Sequence, residues 1–92
     1  MDQLNPLSDF LNAVADDPRI SITHIGIYAA LLHCWKQHDF ENPMNVFSYQ
    51  IMRIAKISAS TTYHKIIQDL NSYGYIKYEP SYKRNHGSRI YF

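Results

Sequence analysis

Ser60, Thr61, Thr62, His64, Lys65 and Gln68 bring hydroxyls, an imidazole, an ammonium and a carboxamide together within nine residues. These groups donate to and accept from base edges and phosphate oxygens. They interleave with Tyr63, Ile66, Ile67 and Leu70 at helical spacing, so one α-helix would turn the apolar set inward and the polar set outward. On such a face a Gln can bind adenine in bidentate fashion, a Lys can reach guanine O6 and N7, and a Thr methyl can touch a thymine methyl. Each good bidentate contact discriminates by about 1–3 kcal/mol.

A second cluster, Lys83, Arg84, Asn85 and His86 with Arg89 close behind, reads as a basic projection suited to phosphates, with Arg84 able to enter a narrow minor groove. Ser48 and Tyr49 open a preceding helix whose amide end, with Arg53 and Lys56, could position a nucleic-acid backbone without reading bases. The charge distribution agrees. Residues 1–46 hold two Lys/Arg against six Asp/Glu and residues 47–92 hold seven against two, so a net charge of +1 conceals halves of −4 and +5. The partner these features imply is double-stranded DNA.

Other chemistries find less support. Five histidines stand without a carboxylate or nucleophile at motif spacing, and the three glycines, at 26, 74 and 87, form no phosphate-binding loop. No enzyme activity and no cofactor are expected. Cys34 and His38 lie one helical turn apart, but no second Cys pair or HExxH accompanies them, so Cys34 reads as a buried structural thiol and no metal site is expected. A lone cysteine makes no internal disulfide. No apolar run approaches the roughly 18 residues that span a bilayer, and MDQLNPLSDF lacks a basic start followed by a hydrophobic stretch. A soluble, cytoplasmic protein without a membrane partner is expected.

The elements that must position these residues follow from periodicity. Asn5 and Pro6 read as the cap and first position of a short helix with Leu7, Phe10, Leu11 and Val14 on its apolar side, ended and frayed by Asp16, Asp17 and Pro18. That helix could pack on its own domain or pair two chains as a homodimer. Thr23 is placed to cap a second helix reaching about His38, with Ile25, Tyr28, Ala29, Leu32 and Trp35 as its apolar face, widened by Ile27, Leu31 and Cys34. Val46 and Phe47 can supply a very short strand before Ser48 caps a third helix carrying Tyr49, Ile51, Met52 and Ala55. A brief turn at 57–60 leads into the fourth. Gly74 suits a left-handed C′ position. Residues 75–79 and 89–92 then alternate as a β-hairpin around a loop at 80–88. The expected class is mainly α with a small β-hairpin, α+β, divided into an N-terminal helix and linker at 1–22 and a domain at 23–92.

This order, with Ser58, Ser60, Thr61, Thr62, Ile66, Ile67, Leu70, Gly74, Tyr75 and Ile76 at their spacing, resembles the winged helix-turn-helix superfamily, closest to the core of MarR-like and related bacterial regulators. The resemblance covers roughly residues 23–92. It implies a winged helix-turn-helix fold with an extra N-terminal helix, binding DNA through a recognition helix in the major groove and a basic wing, as a small bacterial transcriptional regulator. The chain departs from the MarR pattern by stopping at the second wing strand. The C-terminal helices that pair MarR subunits and frame their ligand pocket are therefore not expected. A replication or mobile-element accessory factor is an alternative on the same fold. A winged-helix protein-interaction module is another, favoured by the near-neutral overall charge and the acidic N-terminal half.

Overall fold

The computed structural model describes residues 6–80 and 87–92. Along them run α1 (Pro6–Val14), α2 (Ile22–Gln37), β1 (Met44–Val46), α3 (Ser48–Ala55), α4 (Ser60–Ser72), β2 (Lys77–Glu79) and β3 (Ser88–Tyr91). The protein is mainly helical with a small antiparallel sheet, as the α+β expectation has it.

The expected two-stranded hairpin is part of a three-stranded sheet in the order β1-β3-β2. Met44 pairs with Ile90 and Val46 with Ser88 on one side of β3, while Lys77, Tyr78 and Glu79 face Tyr91, Ile90 and Arg89 on the other. The strand expected at Val46 and Phe47 therefore begins earlier, at Met44, and Phe47 lies outside it. Both Met44 and Val46 are 1% exposed. Pairing both edges of β3 satisfies its backbone groups and leaves Ile90 fully buried between neighbours.

Helix termini also differ from expectation, because side chains compete for orphan amides. Ser21, not Thr23, caps α2: its Oγ accepts from the His24 amide, and His24 Nδ1 accepts from the Ser21 amide at 3.0 Å. This is a capping box with His in the place usually held by Glu or Gln. Phe47, not Ser48, is the cap residue of α3, since Gln50 Oε1 reaches back to the Phe47 amide at 3.0 Å and draws Ser48 into the first turn. Past α4, Gly74 (φ 87°) ends the helix as expected, with Tyr75 N–H donating to the Leu70 carbonyl at 2.9 Å and Gly74 N–H to Asn71 at 3.2 Å. This is a Schellman closure.

One core joins every layer. Ile27, Leu31, Ile51, Ile67, Leu70 and Ile90 are fully buried, each worth roughly 1.5–3 kcal/mol of apolar transfer. The centre of α2 is the row His24, Ile27, Tyr28, Leu31 and Cys34, whereas Ile25, Ala29, Leu32 and Trp35, expected to lead, are only half-buried beside it. Contacts from α1, α3 and α4 on different sides explain the rotation. Helix α1 belongs to the same core. Phe10 stacks on Tyr28 at 3.8 Å and meets Tyr75 edge-on at 5.2 Å, and Val14 is buried; Leu11 stays 40% exposed.

Two glycines predict opposite outcomes. A Cβ on Gly87 would run into the Val46 backbone carbonyl, whereas one on Gly26, inside α2, would meet nothing within 4 Å. Gly87→Ala should lower the urea midpoint, at a cost of about 1–3 kcal/mol. Gly26→Ala should raise it, with a gain in stability of about 0.5–1 kcal/mol, because alanine loses less backbone freedom in a helix.

Candidate nucleic-acid interface

Helix α4 carries Tyr63, Ile66, Ile67 and Leu70 at 5% exposure or less on its inner side. Ser60, Thr61, Thr62, His64, Lys65 and Gln68 are all exposed. The spacing of the buried set leaves 61, 64, 65 and 68 as a continuous outer stripe. Thr61, Thr62 and Gln68 form no side-chain hydrogen bond among the described residues, so their donors and acceptors face solvent. His64 Nδ1 lies 2.8 Å from the Ser60 carbonyl, which can only accept, so Nδ1 donates there and Nε2 has no partner among the described residues. Lys65 Nζ donates to Asp69 Oδ2 at 3.0 Å while its side chain remains 72% exposed, so two ammonium donors stay open.

The preceding turn is built on Lys56, which takes the left-handed conformation (φ 63°, ψ 41°) at the end of α3. Its amide and that of Ile57 both donate to the Met52 carbonyl, closing the helix before α4 starts at Ser60. Arg53, Lys56 and Tyr49 are exposed and Ser48 is half-buried. Neither Arg53 nor Lys56 pairs with a carboxylate among the described residues.

Arg89 is on β3, in the strand expected at 89–92. Its register with Glu79 puts it on the outer sheet face, where Glu79 lies 3.8 Å from Arg89, 3.9 Å from Lys77, and accepts the Tyr91 hydroxyl at 2.9 Å. Lys83, Arg84, Asn85 and His86 lie outside the described residues. The two helical segments thus stand together through α3·α4 packing, and the sheet attaches to α4 through Asn71 Oδ1, which accepts the Tyr78 amide at 3.0 Å.

What the sequence concealed is the anchoring behind α4. His24, 5% exposed, spans from the start of α2 to Asp69 Oδ2 at 2.9 Å. Because the Ser21 amide can only donate, Nδ1 is an acceptor and the ring proton on Nε2 points to Asp69. Ser21 Oγ lies 2.8 Å from Nδ1, so serine, histidine and aspartate stand in a row. Nδ1 is shared between the Ser21 hydroxyl at 2.8 Å and the Ser21 amide at 3.0 Å, and the trio ties the start of α2 to α4. The spacing of Ser21 and His24 carries a capping signal, but nothing local announces Asp69.

A second tie secures the far end of α4. Asp17, expected in a fraying terminus, accepts Arg19 Nε and Nη2 at 2.9 Å each and the Tyr75 hydroxyl at 2.7 Å, and Arg19 lies 4.1 Å over the Tyr73 ring. The thiol of Cys34 is buried as expected, and burial pushes its pKa up. Among the described residues no group of three or more His, Cys, Asp or Glu could hold a metal ion. No helix there is long and apolar enough to cross a membrane.

The Arg19 guanidinium and then the Tyr75 hydroxyl hold the Asp17 carboxyl well below the usual carboxylate range, and the His24 ring followed by Lys65 lowers Asp69. Carboxylates depressed in the folded state stabilise it above their unfolded pKa and lose that contribution as pH falls through the folded value. Denaturant midpoints should therefore decline below about pH 4. The Asp17→Asn plus Asp69→Asn variant, less stable at neutral pH, should show a shallower decline over the same interval.

Comparison with family models, curated proteins and solved structures finds no match for this chain.

Proposed function

We propose that this protein is a winged helix-turn-helix factor that binds double-stranded DNA in a sequence-dependent way, with α4 in the major groove and the β2–β3 hairpin as a wing on the backbone. The observation that carries this reading is the division of α4: one face wholly in the core, the other a polar stripe of Thr61, His64, Lys65 and Gln68. A helix so held presents hydrogen-bonding groups in a rigid frame, which base-edge recognition requires. The order α2, β1, α3, tight turn, α4, β2, β3, with β1 completing the sheet, supports the winged arrangement.

Lys56 adds a second support. A left-handed non-glycine residue costs roughly 1–2 kcal/mol relative to a helical one, a cost glycine would avoid. The turn nevertheless carries a lysine, exposed and free of carboxylates. With Arg53 it supplies sequence-independent phosphate contacts, while Gln68 and Lys65 read bases. A small bacterial transcriptional regulator acting in the cytoplasm is the role that fits a single compact reader of this kind. If such a regulator pairs two copies through α1, Leu11 and part of Leu7 are what that helix offers.

Gel shifts with duplex DNA at several salt concentrations test the proposal. With about five cations neutralising phosphates, log affinity should fall against log salt with a slope of about −4 to −5. Arg53→Ala plus Lys56→Ala should weaken binding to all sequences alike and reduce that slope by about 2. Gln68→Ala should instead change which sequence is preferred in selection from a randomised pool, with about 1–3 kcal/mol lost at one base pair. Retention that ignores salt, or both variants binding as the wild type does, would remove the DNA reading.

A further inference from the structure

Most aromatic side chains here have an evident structural use. Tyr28 and Tyr63 are buried, and the hydroxyls of Tyr75 and Tyr91 are held by Asp17 and Glu79. Tyr49 is different: it is 65% exposed and its hydroxyl makes no hydrogen bond among the described residues. Beside it stands Phe47, 36% exposed, its ring centroid 5.5 Å away and tilted by 37°. Packing does not explain the exposure of the Tyr49 ring, and it covers Phe47 only in part.

Their surroundings indicate the occupant. Helix α3 contains no acidic residue, Arg53 follows Tyr49 by four positions on the same side of the helix, and Lys56 closes it. Both cations are exposed and without carboxylates among the described residues. Aromatic rings beside unpaired cations suit a polyanion that also offers flat π-faces. In a closed duplex the base faces are stacked on one another and only their edges are open. Unpaired bases do expose their faces. Phe47 directly follows Val46, which pairs with Ser88 at the base of the hairpin loop, so the pair sits where the sheet meets α3.

We infer that Phe47 and Tyr49 form a stacking platform for unpaired bases, so that the preferred ligand is a duplex carrying a single-stranded extension. The inference rests on the duplex reading for α4 and names a ligand class for a separate surface. Arg53 and Lys56 hold the phosphates where the duplex passes into the extension, and the rings take the unpaired bases beyond it.

Fluorescence anisotropy with an end-labelled duplex of about 20 base pairs, blunt or extended by about six unpaired thymidines, tests it. The extension should tighten binding about tenfold, the scale of one stacked base. Tyr49→Ala should abolish that gain, so that this variant binds extended and blunt duplexes alike, Phe47→Ala should diminish it, and Tyr49→Phe should keep it. In Tyr49→Trp, indole emission should be quenched by the extended duplex and not by the blunt one. Equal wild-type affinity for both DNAs removes the platform and leaves the duplex reading standing; binding to neither removes both. Binding to a single-stranded oligonucleotide and to neither duplex removes the duplex reading and, with it, the extended duplex as the preferred ligand. A loss that Tyr49→Ala shows equally on both DNAs overturns the inference, as does a drop in sedimentation mass in that variant, which would mark the rings as a contact between chains.

Discussion

The rotational setting of α4 is the constraint on which the rest depends. A rotation of one residue, about 100°, would carry Gln68 or Lys65 toward the core and bring an isoleucine into water, so the polar stripe exists only while Tyr63, Ile66, Ile67 and Leu70 stay seated. Apolar packing alone is non-directional. Direction comes from two ties to the N-terminal segment: His24 to Asp69 on the helix, and Asp17 to Tyr75 just past it. Asn71 adds a third, to β2. The hydrogen bonds specify angle and register, and the buried side chains supply most of the energy.

This arrangement also redistributes charge. The only two carboxylates of the basic half, Asp69 and Glu79, stand beside Lys65 in one case and Lys77 and Arg89 in the other. Among the described cations of that half, Arg53 and Lys56 are left without a carboxylate. The formal +5 of residues 47–92 therefore overstates the field that an approaching anion meets first. Exposed pairs separated by 3.8–3.9 Å, as at Glu79, are nonetheless weak, typically about 0–1 kcal/mol, and a phosphate can compete for Arg89 and Lys77. The shorter Lys65 contact sits on a carboxylate already committed to His24, so Lys65 is shared rather than sequestered.

The legible parts of this molecule were those governed by local periodicity. The inner and outer faces of α4, the left-handed Gly74 and the buried Cys34 all follow from neighbours within a turn or two. Three kinds of feature did not. Caps were misassigned by one or two residues, because His24 and Gln50 act through side chains that resemble ordinary helix residues. The leading face of α2 was placed too far to one side, because a helix contacted on several sides has no single stripe. The pairing of β1 with β3 joins segments more than 40 residues apart, and a three-residue strand has too little pattern to announce its partner. The tie from His24 to Asp69 is invisible for the same reason.

Helix α1 and its linker look separable in sequence, yet they sit in the mechanical path to the candidate interface. Phe10 lies between Tyr28 of α2 and Tyr75 beyond α4, and Asp17 holds the Tyr75 hydroxyl from the same segment. Displacing α1 would expose both ring faces and leave Tyr75 without its carboxylate partner. It would also slacken the chain at the helix end, where Tyr75 N–H closes onto the Leu70 carbonyl. A substitution at position 10 would therefore act first on Tyr28 and on Tyr75, just past the C-terminal end of α4. Any coupling to the outer face of α4 would have to run through these packed rings and the one hydrogen-bonded carboxylate, since they are the contacts that join Phe10 and Asp17 to the end of α4.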